Sequence, residues 1–346
     1  MQHLKAAVYF SAGIGDALLL TPLIKHLKKE GYHVTGIFTS VFKVHELYDD
    51  INLLDDKIVI LSKPKKVWFV GKFFLNKFHL SIVNYFAANK TNLTVASKTS
   101  LRVITNRDVV FQKIKLNNVH FIQPQSALHD AQQNLNLINS THSINESDFK
   151  IDLINKLKVK PVKQTIAIQC GAGNNKTPYK IWDTDKWIQL INRIYVDFPE
   201  LQILLLGDKH EVGLNKKIKC ENTIQLAGKT SLTELPSIIN QTSCFIGSDS
   251  GLMHLAAALT KPTFTIWGAS NESLYSYSLF NSTKHQLIFN DQIICRPCSV
   301  WINPNASRVK NADDCPDFKC LKELNVDLVY QKLNVFLKQH LIMDCL

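Results

Sequence analysis

The 346-residue chain is 45% hydrophobic and 20% charged, which suits one large or two ordinary globular domains and excludes a disordered chain. Its apolar runs fall short of the roughly 18 residues that a membrane-spanning helix needs. The net charge of +11 is uneven, because residues 1–160 carry 21 basic and 12 acidic side chains and residues 161–346 carry 19 and 17. We expect an acidic partner for the basic half, either a phosphorylated glycolipid or an anionic membrane surface. The alternative is a solvated lysine-rich surface, and the scarcity of arginine argues against nucleic acid.

The first forty residues predict a strand, a turn, a helix and a second strand. The strands cover residues 6–10 and 32–38, and the helix covers residues 16–29 despite Pro22. This order is typical of a parallel sheet covered by helices. The segment superficially imitates a secretory signal, but Asp16 interrupts its apolar region and no small-residue cleavage site follows a long enough core. We therefore expect a cytoplasmic protein.

The middle of the N-terminal half has weaker patterns. Short strand-like runs cover residues 57–61, 80–85, 94–96 and 108–110. Two helices are predicted, one aromatic and basic over residues 67–78 and one over residues 127–138. A linker is predicted over residues 154–164, around a Lys-Pro pair.

A second alternating series of strands and helices follows the linker. Strands are predicted over residues 165–169, 201–206, 223–226, 244–247 and 263–267. Helices are predicted over residues 184–196, from a Ser-x-x-Glu capping box at 231–234, over 252–259 and over 326–341. Two successive α/β series predict two Rossmann-like domains, whose ligands bind beyond the carboxyl ends of the strands.

The polar turn at residues 248–251 lies where a predicted strand ends and a predicted helix begins. The first amides of such a helix have no intrahelical partner, and its dipole favours an anion. Ser250 adds a hydroxyl, Gly251 permits close backbone approach, and His254 lies one turn further on. This pattern predicts a phosphate or diphosphate site. The alternative is that Asp249 or Ser250 is an ordinary helix cap and that His254 is a structural histidine.

The joint pattern DSGLMHLAAAL, followed by KPT and WGAS, closely resembles the signature of glycosyltransferase family 9, the lipopolysaccharide heptosyltransferases and their relatives. The resemblance implies an α/β fold of GT-B type, with two Rossmann-like domains whose parallel sheets face a cleft. It also implies that this segment cradles the diphosphate of a sugar nucleotide. The donor-binding residues it implies here are Asp249, Ser250, Gly251, Leu252 and His254.

The N-terminal motif Gly-Ile-Gly-Asp resembles a second signature of the same family. There the aspartate is the proposed catalytic base, which corresponds to Asp16. A base at this position suits the chemistry, because an acceptor hydroxyl must lose its proton as it attacks the anomeric carbon. Gly13 and Gly15 are loop or acceptor-site candidates. The alternative is that Asp16 only caps the helix that follows.

Two further loops in the second half resemble donor-binding loops of the family. Lys180, in a Lys-x-Trp motif after a glycine-containing loop, corresponds to the lysine that contacts the donor phosphates, with Lys176 as a nearby competitor. An ammonium there would stabilise the leaving nucleoside diphosphate. An acidic residue holds the ribose in many members, and Asp208 and Glu211 both remain candidates for that role.

Four of the eight cysteines form the pattern C-x2-C-x16-C-x4-C. They are Cys295, Cys298, Cys315 and Cys320. The spacing is compatible with a structural zinc site, but we favour the alternative of unmetallated thiols in a loop. Related family members carry a similar late cluster, so it supports the resemblance without establishing a metal. We expect no metal and no other cofactor in the reaction.

The sequence as a whole predicts an inverting, metal-independent glycosyltransferase. The resemblance implies transfer of a heptose from ADP-heptose to a lipopolysaccharide core or related glycolipid, with peripheral contact at the inner face of the cytoplasmic membrane. Residues 1–157 would bind the acceptor and residues 164–325 the nucleotide sugar, while the helix in residues 326–346 would pack back toward the first domain. The rival interpretations are a nucleotide-sugar epimerase on the same fold and a non-catalytic sugar-nucleotide-binding protein.

Overall fold

The computed structural model describes residues 4–39, 42–112, 116–125, 128–154, 164–173, 177–298 and 315–341. The chain divides into two compact units, Met1–Ile154 and Asn155–Leu346. Each unit contains a six-stranded sheet in which all pairs of neighbouring strands are parallel. Most of the predicted linker lies outside the described residues. Within the described ranges, no helix is long and apolar enough to cross a membrane.

The sheet of the first unit is built from strands that alternate with helices along the chain. Its strands are β1 (Leu4–Phe10), β2 (Tyr32–Phe38), β3 (Asp56–Val59), β4 (Phe78–Ile82), β5 (Ser100–Thr105) and β6 (Val119–Phe121). Its helices are α1 (Ile14–Leu18), α2 (Thr21–Lys29), α3 (Lys63–Phe73), α4 (Lys90–Thr99), α5 (Asp108–Phe111), α6 (Asp130–Leu135) and α7 (Glu146–Phe149), with a 3₁₀ helix at Val44–Asp49. The strands lie in the order β3-β2-β1-β4-β5-β6.

Three predictions in the first unit were wrong. The predicted helix over residues 16–29 is two helices, because Pro22 lies in the first turn of α2, where its missing N–H costs nothing. The predicted strand over residues 94–96 lies inside α4, whose first turn is capped by the Asn89 side chain. The predicted strand over residues 108–110 is part of α5, and β5 and β6 were not predicted. Short apolar runs cannot be assigned to helix or strand by periodicity alone.

The second unit repeats the alternation of strand and helix. Its strands are β7 (Thr165–Gln169), β8 (Gln202–Leu206), β9 (Thr223–Gln225), β10 (Phe245–Ser248), β11 (Thr263–Ile266) and β12 (His285–Ile288). Its helices are α8 (Thr184–Asp197), α9 (Val212–Asn215), α10 (Leu235–Asn240), α11 (Gly251–Ala258), α12 (Glu272–Tyr275), α13 (Lys319–Lys322) and α14 (Val326–Leu341), with 3₁₀ helices at Pro178–Lys180 and Tyr277–Leu279. The strands lie in the order β12-β11-β10-β7-β8-β9.

The last helix, α14, buries its apolar face in the core of the second unit. Val329, Leu333 and Phe336 belong to the same buried cluster as the strands of that sheet. The rings of Phe336 and Phe264 lie 5.7 Å apart, which ties α14 to β11. The predicted packing of residues 326–346 toward the first domain is a different contact and stays a prediction.

Each sheet has one point at which the order of its strands reverses, and the carboxyl ends of two strands flank that point. In each sheet the order reverses once, between β1 and β4 in the first unit and between β7 and β10 in the second. Ligands of open parallel sheets bind in the crevice at such a reversal, beyond the carboxyl ends of the strands. The turn at residues 248–251 follows β10, and the Gly-Ile-Gly-Asp motif follows β1. Both predicted motifs therefore lie at a reversal point.

Candidate active site

The N-terminus of α11 is not closed by the side chain that occupies its cap position. Ser250 is extended there, with φ −149° and ψ 168°, and its hydroxyl makes no capping hydrogen bond. The hydroxyl instead donates to Gln169 Oε1 at 2.7 Å. The ordinary-cap interpretation is therefore wrong for Ser250. The first amides of α11, starting at Gly251 and Leu252, lack a hydrogen bond from that side chain, which suits an anion.

Lys180 and Asp249 form an ion pair beside this helix terminus. Lys180 Nζ lies 2.7 Å from Asp249 Oδ2, and the aspartate side chain is only 4% exposed. Burial would raise the pKa of Asp249, but the charge and hydrogen bond of Lys180, together with His254 and Ser270, outweigh it, so that the pKa lies below its usual range. Asp249 is therefore ionised at neutral pH, and it fixes the position of an ammonium that carries three donor hydrogens.

His254 is buried on the first turn of α11 and is neutral at physiological pH. Burial lowers the pKa of His254 to about 4, with the Asp249 carboxylate opposing the change and Lys180 adding to it. Its Nδ1 lies 3.1 Å from the Tyr277 hydroxyl, a residue that was not predicted from the sequence. When Nδ1 accepts from Tyr277, the ring proton is on Nε2, and the imidazole can offer one neutral hydrogen bond to an anion.

Two further polar side chains, Gln169 and Glu211, are linked to Ser250 by hydrogen bonds. Gln169 accepts from Ser250 and donates through Nε2 to both carboxylate oxygens of Glu211, at 3.1 and 3.2 Å. Burial raises the pKa of Glu211, and hydrogen bonds from Asp208 N–H and Gln169 offset part of the rise. A Cβ atom at Gly171 would lie 2.2 Å from Glu211 Oε1, so the carboxylate occupies space that only glycine leaves open. Gln169 was missed in the sequence, although a polar residue at the end of a buried strand is its signal.

The two ribose candidates differ in their surroundings. Glu211 is buried, and it accepts hydrogen bonds from Gln169 Nε2 and, at 2.8 Å, from Asp208 N. Asp208 is half-buried, and its Oδ1 accepts from His210 N at 2.7 Å. Both residues lie at the carboxyl end of β8, so the choice between them stays open.

Asp16 lies at the reversal point of the first sheet, on the first turn of α1. Its Oδ2 accepts from Gly13 N at 3.0 Å, which completes a helix cap. The hydrogen bond expected of a helix cap is therefore present, and it is made by one of the two carboxylate oxygens of Asp16. Asp16 and Asn84 line the same small pocket, together with the aromatic ring of Phe86. The side chain is half-buried, as are Gly13 and Gly15.

A second carboxyl group, Asp130, interacts electrostatically with Asp16. Burial raises the pKa of Asp130 to about 7, the charge of Asp16 adds to the rise, and a hydrogen bond from Asn134 offsets part of it. Asn134 also donates to Leu19 O at 3.3 Å and accepts from Asn84 at 3.0 Å. Asp130 was not predicted as a site residue, because in the sequence it is only an acidic residue near the start of a predicted helix.

The late cysteines are reduced thiols in this structure. Cys298 Sγ lies 3.1 Å from Cys295 O, and none of these four cysteines is in a disulfide. Burial raises the pKa of Cys320 to about 11, and the neighbouring Cys298 and Cys315 add to the rise. Among the residues that the structure describes, no group of three or more His, Cys, Asp or Glu side chains is arranged to hold a metal ion. Lys176 lies outside the described residues.

The predicted site residues thus fall into two groups. Lys180, Asp249, Ser250 and His254 come together in the second unit, around the N-terminus of α11. Gly13, Gly15 and Asp16 come together in the first unit at the start of α1.

Comparison with known proteins identifies the class to which this fold and these motifs belong. Residues 79–305 match the sequence profile of glycosyltransferase family 9 (heptosyltransferase). The match covers more than half of the chain, so the chain belongs to this family and is a glycosyltransferase. The family predicted from the motifs is confirmed.

Individual relatives agree with the family assignment. Lipopolysaccharide heptosyltransferase 1 of Campylobacter coli is 26% identical over 308 residues, covering 77% of this chain and 84% of the relative. The structure of Escherichia coli ADP-heptose lipopolysaccharide heptosyltransferase II superposes with a TM-score of 0.70 at 16% identity, covering 97% and 99% of the two chains. A glycosyltransferase family 9 protein from Veillonella parvula superposes with a TM-score of 0.75 at 16% identity, covering 98% of each chain. The predicted α/β fold of GT-B type is confirmed.

Proposed function

We propose that this glycosyltransferase is an inverting heptosyltransferase, which moves a heptose from ADP-heptose to a lipopolysaccharide core or related glycolipid. The observation that carries the proposal is the uncapped N-terminus of α11 beside the Lys180–Asp249 ion pair. The names of the similar proteins support the heptose donor, because they include an ADP-heptose-dependent enzyme.

The donor site suits a diphosphate for electrostatic reasons. The backbone amides at the start of α11, which Ser250 does not cap, and the Lys180 ammonium can interact with an anion, and neutral His254 offers a hydrogen bond without requiring a second cation. As the bond from the anomeric carbon to the diphosphate breaks, negative charge grows on the leaving group. Groups that are already in position stabilise that charge without reorganisation.

Asp16 is the proposed base. One carboxylate oxygen caps α1 and the side chain is half-buried at the reversal point of its sheet. In an inverting transfer, the acceptor hydroxyl attacks the face of the anomeric carbon opposite the leaving group and gives its proton to the base. Deprotonation by Asp16 would leave the carboxylic acid, which then releases the proton to water.

The reaction is proposed to need no metal ion. Lys180 and the helix N-terminus supply the positive charge that a divalent cation would bring to the diphosphate. No other cofactor takes part in the proposed chemistry.

The two ligands are assigned to different parts of the chain. Residues 164–325 would bind the nucleotide sugar, and residues 1–157, with their excess of basic side chains, would bind an anionic glycolipid acceptor. The helix in residues 326–346 would pack toward the first domain. Work on a lipid-linked acceptor implies peripheral contact at the inner face of the cytoplasmic membrane, and nucleic acid is not a proposed partner.

Two observations argue against the rival interpretations, an epimerase and a non-catalytic binding protein. Family membership favours sugar transfer over epimerisation. The joint presence of Asp16, Lys180 and the turn with Asp249 and His254 argues against a binding protein that has lost catalysis.

The decisive experiment offers the purified chain a panel of nucleotide sugars with heptose-deficient lipopolysaccharide and follows the glycolipid by mass spectrometry. We expect a heptose mass increment with ADP-heptose, dependent on the acceptor. Transfer of a different sugar would overturn the donor assignment. Conversion of the sugar nucleotide without any acceptor would instead favour an epimerase.

A further inference from the structure

Helix α3 of the first unit carries large apolar side chains on its solvent side. Val67 is 73% exposed and Trp68 is 54% exposed, and just beyond the helix Phe74 is 57% and Leu75 is 94% exposed. Scattered exposed apolar residues are normal on protein surfaces, but four within nine residues form a local patch. We call these four residues, together with the lysines of the same segment, the α3 surface.

The exposure of this patch is not the result of a loosely attached helix. Phe69 is fully buried on the opposite side of α3, and its ring lies 4.9 Å from that of Phe73. Phe73 in turn stacks on Phe78 of β4 at 4.7 Å. The Ser62 side chain caps the N-terminus by accepting from Lys65 N at 3.4 Å. The helix therefore already buries one apolar side in the core, and the outward apolar residues are surplus to folding.

The segment that carries the patch has charges of one sign. Residues 57–107 contain eight lysines and two arginines and no aspartate or glutamate. Lys63, Lys65 and Lys72 are exposed on α3 itself. Lys72 Nζ lies 5.1 Å from the centre of the Trp68 ring, so charge and aromatic surface are interleaved.

We propose that the α3 surface docks onto an anionic lipid bilayer. Lysines attract the negative surface of the membrane while their methylene stems lie along apolar surface, and tryptophan prefers the interface between headgroups and acyl chains. Val67 and Leu75 offer aliphatic surface, which suits acyl chains and has no stacking face for nucleic acid bases. The proposal rests on the proposed function, because a lipid-linked acceptor is reached at a membrane, and it names the residues that would make the contact.

The test uses the full chain and vesicles without any sugar nucleotide. Flotation with neutral phosphatidylcholine vesicles is compared with flotation with vesicles in which about a third of the lipid is phosphatidylglycerol. We expect binding to the anionic vesicles that weakens when salt is raised from about 0.05 to about 0.5 M, because surface charges are screened. Equal binding to neutral vesicles, or none to anionic ones, would overturn the proposal.

Two sets of variants locate the contact. Lys63→Gln, Lys65→Gln and Lys72→Gln together should weaken binding about tenfold or more, since each lysine near the membrane contributes to attraction. The matched control changes three exposed lysines of the second unit, Lys216, Lys217 and Lys219, to glutamine. We expect the control to stay within about twofold of the parent. Equal losses in both triple variants would show that overall charge alone drives binding and would reject the α3 surface.

The apolar contribution is tested separately. Trp68→Ser should weaken binding several-fold, whereas Val196→Ser, at a 74% exposed position of α8, should not. Circular dichroism confirms that each variant is folded. A surface that binds single-stranded RNA, or a second copy of the chain, more tightly than anionic vesicles would also reject the proposal.

The outcome is independent of whether the proposed reaction is right. Vesicle binding is measured without turnover, and transfer to a deacylated, soluble acceptor should be unchanged in Trp68→Ser. Retained vesicle binding without any heptose transfer would overturn the proposed function alone. Normal transfer without vesicle binding would overturn the docking surface alone.

Discussion

The reversal points of the two sheets have the same strand order but opposite electrostatics. In the first unit the helix after the strand is capped by its own aspartate, Asp16, and a second acid, Asp130, lies nearby. In the second unit the hydroxyl at the cap position, Ser250, is held by Gln169, and the helix N-terminus stays uncapped beside Lys180. One topology therefore places carboxyl groups suited to accepting a proton at one reversal point, and an ammonium beside an uncapped helix N-terminus, suited to holding an anion, at the other. The difference depends on a few side chains at the strand ends.

The largest expected effect removes the carboxylate from the first site. Asp16→Asn keeps much of the capping ability at α1, because its amide oxygen can still accept from Gly13 N–H. We expect turnover to fall by about 10² to 10⁴-fold with nearly unchanged ADP affinity, because a general base typically contributes that much. Steady-state kinetics on the correct acceptor and calorimetry with ADP measure the two quantities.

Asp148→Asn is the matched control for Asp16. Asp148 caps α7 in the same way, with its Oδ2 accepting from Asn145 N at 2.9 Å. The control should keep nearly full turnover. If Asp16→Asn kept as much turnover as the control, Asp16 would be a helix cap without a catalytic role. The two reversal points would then not differ in function as proposed.

The next largest effect removes the cation from the second site. Lys180→Gln should lower kcat/KM by about 10² to 10³-fold, since it takes away charge that stabilises the leaving diphosphate. It also leaves Asp249 buried without its partner, which lowers the free energy of unfolding. Transfer kinetics and urea unfolding separate these two consequences.

A double variant distinguishes catalysis from stability at this ion pair. Lys180→Gln combined with Asp249→Asn removes both charges and should recover much of the lost stability, while transfer stays low. Lys28→Gln is the control, because Lys28 pairs with Asp55 at 2.9 Å in the first unit. If the double variant regained parental kcat/KM, Lys180 would have no role in donor chemistry.

A smaller effect concerns the acid that accompanies Asp16. The pKa of Asp130 rises from 3.8 in the unfolded chain to about 7 in the folded protein, so the folded protein holds a proton that the unfolded chain loses. This contribution to stability is complete below pH 3.8 and is lost as pH rises through 7. We expect the free energy of unfolding to fall by about 2 kcal/mol between pH 5 and pH 7 from this group.

Asp130→Asn tests that linkage. The free energy of unfolding of this variant should not show the decline of about 2 kcal/mol between pH 5 and pH 7. At pH 8 the variant should be more stable than the parent. Asp152→Asn, at an exposed position, is the matched control. Urea unfolding at several pH values provides the comparison, and an undiminished slope in Asp130→Asn would assign the decline to other groups.

The smallest expected effect is that of metal removal. If the second site holds the diphosphate with protein groups alone, excess EDTA should leave transfer unchanged. Loss of activity in EDTA that magnesium or manganese restores would show that a cation completes the site. Elemental analysis of the purified chain separately tests the cysteine pattern, and stoichiometric zinc would make Cys295, Cys298, Cys315 and Cys320 a structural site.

The family and the α/β class could be predicted from local sequence motifs, and the same motifs gave the candidate site residues. The DSGLMH turn, the Gly-Ile-Gly-Asp motif and Lys180 are contiguous signals, because strand, turn and helix start must be adjacent in the chain to form them. The same local logic failed for residues 94–96 and 108–110, where a short apolar run fits helix and strand equally well.

The contacts between side chains within each site depend on residues that are distant in the sequence. Asp249 could be read as a cap until Lys180, far away in the sequence, was found 2.7 Å from it. Ser250 could be read as a cap until Gln169, at the end of β7, was found to hold its hydroxyl. Asp130 gave no functional signal until burial and the charge of Asp16 were seen to raise its pKa. These relations arise from the parallel pairing of distant strands, which brings their carboxyl ends to one edge and which local periodicity does not encode.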